Sequence, residues 1–233
     1  MGPLEDIEDT ETRQICLPKL RFLRCSFEYC EDVGSVFPAL ILPALTHFEL
    51  VHLGRDLAIV TSVSLRGLLI RSSCRLEGLV LDSRFCAYSE QDLVSILSLT
   101  PTLTHLELKF WDCRMLTADF FQTLNLSRDG LTVLPNLLSL HIDLHAKLYL
   151  PAEDDDTLLS QPEAILSMIR SRRFLTDSPG RAELKSFVLA AHIDPKLSTA
   201  RQWAQLFNSK VEPSLRILEE DGMEIKLQIQ VCS

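Results

Sequence analysis

Leu42-Pro43-Ala44-Leu45-Thr46-His47-Phe48-Glu49-Leu50 and Thr100-Pro101-Thr102-Leu103-Thr104-His105-Leu106-Glu107-Leu108 are one pattern written twice, with Pro, Leu, Thr, His, Glu and Leu in register. The shared core is L-x-x-L-x-L. With Phe, Ile or Cys allowed at the apolar positions it recurs at Leu20–Leu23–Cys25, Leu76–Leu79–Leu81, Leu137–Leu140–Ile142 and Leu184–Phe187–Leu189. A seventh copy, Leu215–Leu218–Glu220, loses its last apolar residue. The starts lie 25, 31, 27, 34, 47 and 31 residues apart, and a proline precedes five of them (Pro18, Pro43, Pro101, Pro135 and Pro213). Proline cannot continue a helix, so it is expected to reset the chain before each strand.

Alternating leucines in x-L-x-L point to one side of a short strand. One strand cannot bury that side alone, whereas parallel strands stacked in chain order build a continuous core. Parallel pairing needs a crossover of about a dozen residues or more, and every gap is longer than that. The pattern therefore predicts an α/β leucine-rich-repeat solenoid, a horseshoe of about seven parallel strands with helical or irregular crossovers. Composition agrees: 44 of 233 residues are leucine, while Phe, Tyr and Trp together make 7%. Residues 17–233 read as the repeat domain and residues 1–16 as an acidic tail or cap.

The crossovers carry helix signals. Ser89-Glu-Gln-Asp92, Ser160-Gln-Pro-Glu163 and Thr199-Ala-Arg-Gln202 have capping-box spacing. Behind them Leu93, Ile96 and Leu97, then Ile165, Met168 and Ile169, then Trp203, Leu206 and Phe207 fall at helical spacing. Leu65, Leu68 and Leu69, and Phe120, Phe121 and Leu124, do the same. Each stripe is expected to pack on the strands. The longest gap holds Pro151-Ala-Glu-Asp-Asp-Asp-Thr157, expected as an exposed acidic loop inserted near 151–160, before a helix from about Gln161. It lacks the oxygen spacing and central Gly of a calcium loop.

The net charge of −9 equals the five acids of the first eleven residues plus the four at 153–156, so the rest of the chain is balanced. Nothing here would displace phosphate counterions in bulk, and no nucleic-acid partner is expected. Arg170, Arg172 and Arg173 read as the solvated end of a helix, favourable against its dipole. No apolar run is long enough for a membrane span. The seven cysteines are odd in number, with no CxxC, and no signal peptide is expected. They read as reduced thiols of an intracellular protein, cytoplasmic or nuclear.

LPKLRFL at 17–23, LPALTHFEL at 42–50, TPTLTHLEL at 100–108 and LPNLLSL at 134–140 resemble the repeats of fungal F-box proteins with leucine-rich repeats. SEQDLVSILSLTP at 89–101 resembles their helix-to-strand joint, and ILSMIRSRR at 165–173 a late helix. The resemblance, over residues 17–220, implies a substrate-receptor role in ubiquitin ligation. The F-box that would dock on the ligase adaptor is expected to be absent from this chain, because about 19 residues precede the first repeat. An adaptor is thus a partner only if an F-box lies upstream in the full gene product. The asparagine that often closes leucine-rich repeats is replaced by Glu28, Leu53, Arg84, Trp111, His145 and His192, which favours a less regular solenoid.

The side chains between the leucines form the expected concave face. Their columns read Phe22, His47, Gly78, His105, Ser139, Ser186, then Arg24, Glu49, Val80, Glu107, His141, Val188, then Ser26, Val51, Asp82, Lys109, Asp143, Ala190. His-x-acid pairs at 47–49, 105–107 and 141–143 share that face, and Glu107 and His141, on adjacent strands, are placed to pair. Metal binding or acid–base chemistry would need a pocket and further ligands, and no GxSxG, HExxH or P-loop occurs. The chain is read as a non-enzymatic protein-recognition module with no cofactor, no metal and no catalytic residues. It would bind an unidentified protein through His47, Glu49, His105, Glu107, Lys109 and His141. The alternative is a scaffold or regulatory repeat protein unrelated to ubiquitin ligation.

Overall fold

The computed structural model describes residues 14–27, 36–52, 62–83, 89–110, 116–126, 132–146, 155–174, 182–193 and 200–231. Most of the acidic tail and residues 151–154 of the expected loop lie outside them.

Four of the prolines open a tight turn. The amides of Leu20, Leu45, Leu103 and Leu137 donate to the carbonyls of Leu17, Leu42, Thr100 and Leu134 at 3.0–3.2 Å. Each turn carries Pro at its second position, where a fixed φ near −65° fits. The chain then extends into a strand. Seven of these make one parallel sheet in chain order: β2 (Phe22–Phe27), β4 (His47–His52), β5 (Gly78–Ser83), β6 (His105–Phe110), β7 (Ser139–Ala146), β8 (Ser186–Ile193) and β9 (Glu224–Val231). A short parallel pair, β1 (Ile15–Cys16) with β3 (Leu40–Ile41), stands apart from it. The sheet is open, with β2 and β9 at its edges.

The register matches the repeat alignment without a slip. Leu23, Phe48, Leu79, Leu106, Leu140 and Phe187 align as one column, and Cys25, Leu50, Leu81, Leu108, Ile142 and Leu189 as a second. A repeated joint sets it. The Arg21 carbonyl accepts the amides of both Thr46 and His47 (2.8 and 3.0 Å), and the Thr46 carbonyl those of Glu77 and Gly78 (2.7 and 3.0 Å). The carbonyls of Glu77, Thr104 and Leu138 each take two amides from the next strand in the same way. One carbonyl thus pins the entry of the following strand.

Helices α1 (Ser62–Ser72), α2 (Glu90–Ser98), α3 (Ala118–Thr123), α4 (Asp155–Phe174), α5 (Ala200–Leu206) and α6 (Glu212–Glu220) run between strands, α5 and α6 being joined by a π-helical turn over Phe207–Val211. The apolar stripes of the first five are buried as expected, apart from a half-buried Leu206, and form one core with the strand leucines. The Ser89–Asp92 capping box is formed. Ser62 donates to Asp92 Oδ1 (2.8 Å), and Thr117, the N-cap of α3, donates to Glu90 Oε2 (2.5 Å), so the starts of three successive helices are tied together.

Three expectations need correction. Leu215 and Leu218 are buried on α6, not on a strand. An i, i+3 pair fits a helix as well as L-x-x-L, and Pro213 stands at the second residue of α6, directly after the π-helical turn. The seventh strand is β9, nearer the C-terminus, where Ile225, Leu227 and Ile229 alternate with polar residues and pack on the core. The segment expected as a loop to Ser160 is helical from Asp155, with Ser160 and Pro162 inside α4, so the capping box at Ser160 does not exist.

Arg172 is the third. It is fully buried rather than solvated. Its Nε donates to the Leu124 carbonyl (2.7 Å), and its two terminal nitrogens to those of Leu134 (2.9 Å) and Val133 (2.8 Å). The planar fork suits this task, because it serves three acceptors at once. Burial pushes the guanidinium down to about 10, so it stays charged at neutral pH. Its flanking arginines bond forward instead: Arg170 to Ser214 Oγ (3.2 Å), and Arg173 to Glu183 and the Asp221 carbonyl.

Candidate functional site

With one face of the sheet spent on the core, the other is left for polar side chains. All six candidate residues stand on it: His47 and Glu49 on β4, His105, Glu107 and Lys109 on β6, and His141 on β7. Five of them line, with β5, β8 and β9, an open groove of about 450 Å³. Lys109 is beside the groove rather than in its wall.

Three of the six come together. Glu107 Oε1 receives Lys109 Nζ at 2.8 Å and lies 3.5 Å from His141 Nδ1. Lys109 is also in register with Asp82 and Asp143, on the strands to either side. Glu49 pairs instead with Arg24 on β2, at 3.6 Å. At the far end Lys226 donates to Glu224 (2.6 Å) and holds its carboxyl below the usual range. These pairs are partly or largely exposed, and each adds little stability.

The two Thr-His steps share one further device. Thr46 Oγ1 donates to the Arg21 carbonyl (3.0 Å) and stands 3.0 Å from His47 Nδ1. Thr104 Oγ1 donates to the Glu77 carbonyl (2.9 Å) and stands 2.8 Å from His105 Nδ1. A carbonyl brings no proton, so the hydroxyl proton must point at it. The imidazole Nδ1 therefore donates to the hydroxyl oxygen. In the neutral ring this leaves Nε2 as an acceptor on both histidines.

Between these strands β5 contributes no polar side chain to the two inner columns, only Gly78 and Val80. The His47 ring occupies the space above Gly78: a Cβ there would lie 2.5 Å from Cδ2 and 3.3 Å from Nε2. Sequence reading missed this reach across strands, the threonine bonds and the Arg24 partner. The repeated Thr-His pair was the available signal for the threonines.

Among the described residues no group of three or more His, Cys, Asp or Glu is arranged to hold a metal ion, and no helix is long and apolar enough to cross a membrane. Cys16, Cys25 and Cys74 are free thiols, and burial pushes those of Cys25 and Cys74 up. The other four cysteines lie outside the described residues. No family model, curated protein or solved structure matches the chain.

Proposed function

We propose that the chain is a leucine-rich-repeat recognition module that binds a protein partner on the open face of its sheet. The observation that carries this is the division of labour in the sheet. The five inner strands bury one face, the edge strands β2 and β9 pack on the same core with partly buried side chains, and the other face holds ordered columns of charged, imidazole and small side chains around a groove. Complementary charge on such a surface sets which partner fits more than how tightly it binds. The likeness of the repeats to fungal F-box proteins gives the reading a specific form, the substrate-recognition half of a ubiquitin-ligase receptor.

Partner capture tests it. The wild-type chain and a Glu49→Ala, Glu107→Ala, Lys109→Ala variant of equal thermal stability are compared as baits by quantitative mass spectrometry. The reading requires a specific protein that the variant loses. Equal capture by both baits would move the interface to the helices or the connections. Co-purification of a ligase adaptor with the full-length gene product separates a ligase receptor from a scaffold outside ubiquitin ligation.

A further inference from the structure

We propose that the stretch of sheet over Val80, walled by Glu49 on one side and His105 and Glu107 on the other and bounded by the His47 ring that lies across Gly78, seats an arginine side chain of the bound partner. This rests on the recognition reading above and gives it a ligand chemistry.

The argument begins with the middle column. From β2 to β9 it reads Arg24, Glu49, Val80, Glu107, His141, Val188, Lys226. Each carboxylate finds a basic neighbour on its outer side, Arg24 for Glu49 and His141 for Glu107. On the inner side both face Val80, and among the described residues no cation stands in that column between them. The contacts of Lys109 and His141 both fall on Glu107 Oε1, so Oε2 keeps its acceptor capacity.

The upper column adds two more acceptors. The threonine bonds commit Nδ1 of His47 and His105 as donors, which leaves Nε2 of each neutral ring to accept. The His47 ring carries its Nε2 out over Gly78. With both rings neutral, the polar groups walling this stretch accept hydrogen bonds, and its floor is the Val80 side chain, the Gly78 backbone being covered by the His47 ring. The matching ligand is rich in donors, cationic, and has an apolar stem to lie along Val80.

Arginine fits better than lysine. The two walls are two strand spacings apart, about 9.6 Å between backbones. A planar guanidinium with five fixed N–H donors can address acceptors on both sides, where an ammonium is a compact point charge.

The test uses the full chain and an acetylated, amidated pentapeptide of glycines with one central arginine, compared with the same peptide carrying citrulline or lysine. The readout is the imidazole NMR signals of His47 and His105. The arginine peptide should shift both saturably, and citrulline, its neutral isostere, should bind at least about tenfold more weakly. Val80→Lys would place the protein's own cation in the seat and should abolish the response. If that variant does not fold, Glu49→Gln with Glu107→Gln should weaken it instead. The proposal is overturned by no saturable shift, by equal binding of citrulline or lysine, or by unchanged binding to the variants. If the peptide fails while the triple-alanine bait still loses its partner, only the arginine seat is wrong. If that bait also captures normally, the recognition face itself is wrong.

Discussion

The imidazole of His47 on β4 rests on the backbone of Gly78 on β5, so close that a methyl group at Gly78 would stand 2.5 Å from His47 Cδ2. Glycine here leaves room for a neighbour's ring rather than serving a turn, since its backbone is that of an ordinary strand residue.

Gly78→Ala should therefore act on His47 before it acts on the fold. The ring is exposed and can swing away, so the melting temperature should move by no more than a few degrees. The Nδ1–H tautomer of His47 should be lost, while that of His105 stays. Nitrogen-15 NMR of both rings at a pH of about 9, well above the ordinary imidazole range, reads this directly. An unchanged His47 tautomer would show that the ring does not depend on the space above Gly78.

Leu106→Ala tests the core. Leu106 is 2% exposed and sits mid-sheet between Leu79 and Leu140. The cavity should cost about 2–5 kcal/mol in denaturant unfolding. A loss under about 1 kcal/mol would be inconsistent with that burial.

Arg172→Met should cost about 2–4 kcal/mol, because it strands the carbonyls of Leu124, Val133 and Leu134 without a donor. Leu134 has φ of 57°, an uncommon conformation for leucine, so the same change frees a constrained turn. Arg172→Lys keeps the charge and loses the fork, and should fall between wild type and Met. A solvated arginine would show no such series.

Asp92 gives the acid limb of the stability curve. The Ser62 hydroxyl, and next the Ser89 amide, hold its carboxyl below the usual aspartate range. The folded pKa lies below the unfolded one. The stabilisation is thus complete above the unfolded pKa of about 4 and is lost as pH falls through the folded value. Wild type should lose more stability than Asp92→Asn on acidification over this window. Parallel curves from urea unfolding at stepped pH would remove Asp92 from the account.

The sheet was legible wherever periodicity had one reading. The columns through Leu23–Phe187 and Cys25–Leu189 follow directly from alternation, and the Glu107–His141 pair follows from the columns. Leu215 and Leu218 failed because three-residue spacing serves helix and repeat alike. β9 lacks the leading leucine of the motif, so the repeat pattern does not reach it, although Ile225, Leu227 and Ile229 alternate plainly. Arg172 was illegible in principle. A basic cluster at a helix end is usually solvated, and only the fold shows three carbonyls waiting for one of its members. The reach of His47 over Gly78 likewise depends on a rotamer that no spacing encodes.

The carbonyl that takes two amides at each strand entry uncouples geometry from length. The joint is the same whether the loop it closes runs from Arg21 to Thr46 or from Leu138 to Lys185, although the second is almost twice as long. Material added or removed between joints changes the outer side and leaves the spacing of the open face untouched. Such a chain can accept insertions, tags or whole modules in its connections while its binding surface stays constant. Under tension applied at its ends it should give way strand by strand, in steps whose sizes record those unequal lengths.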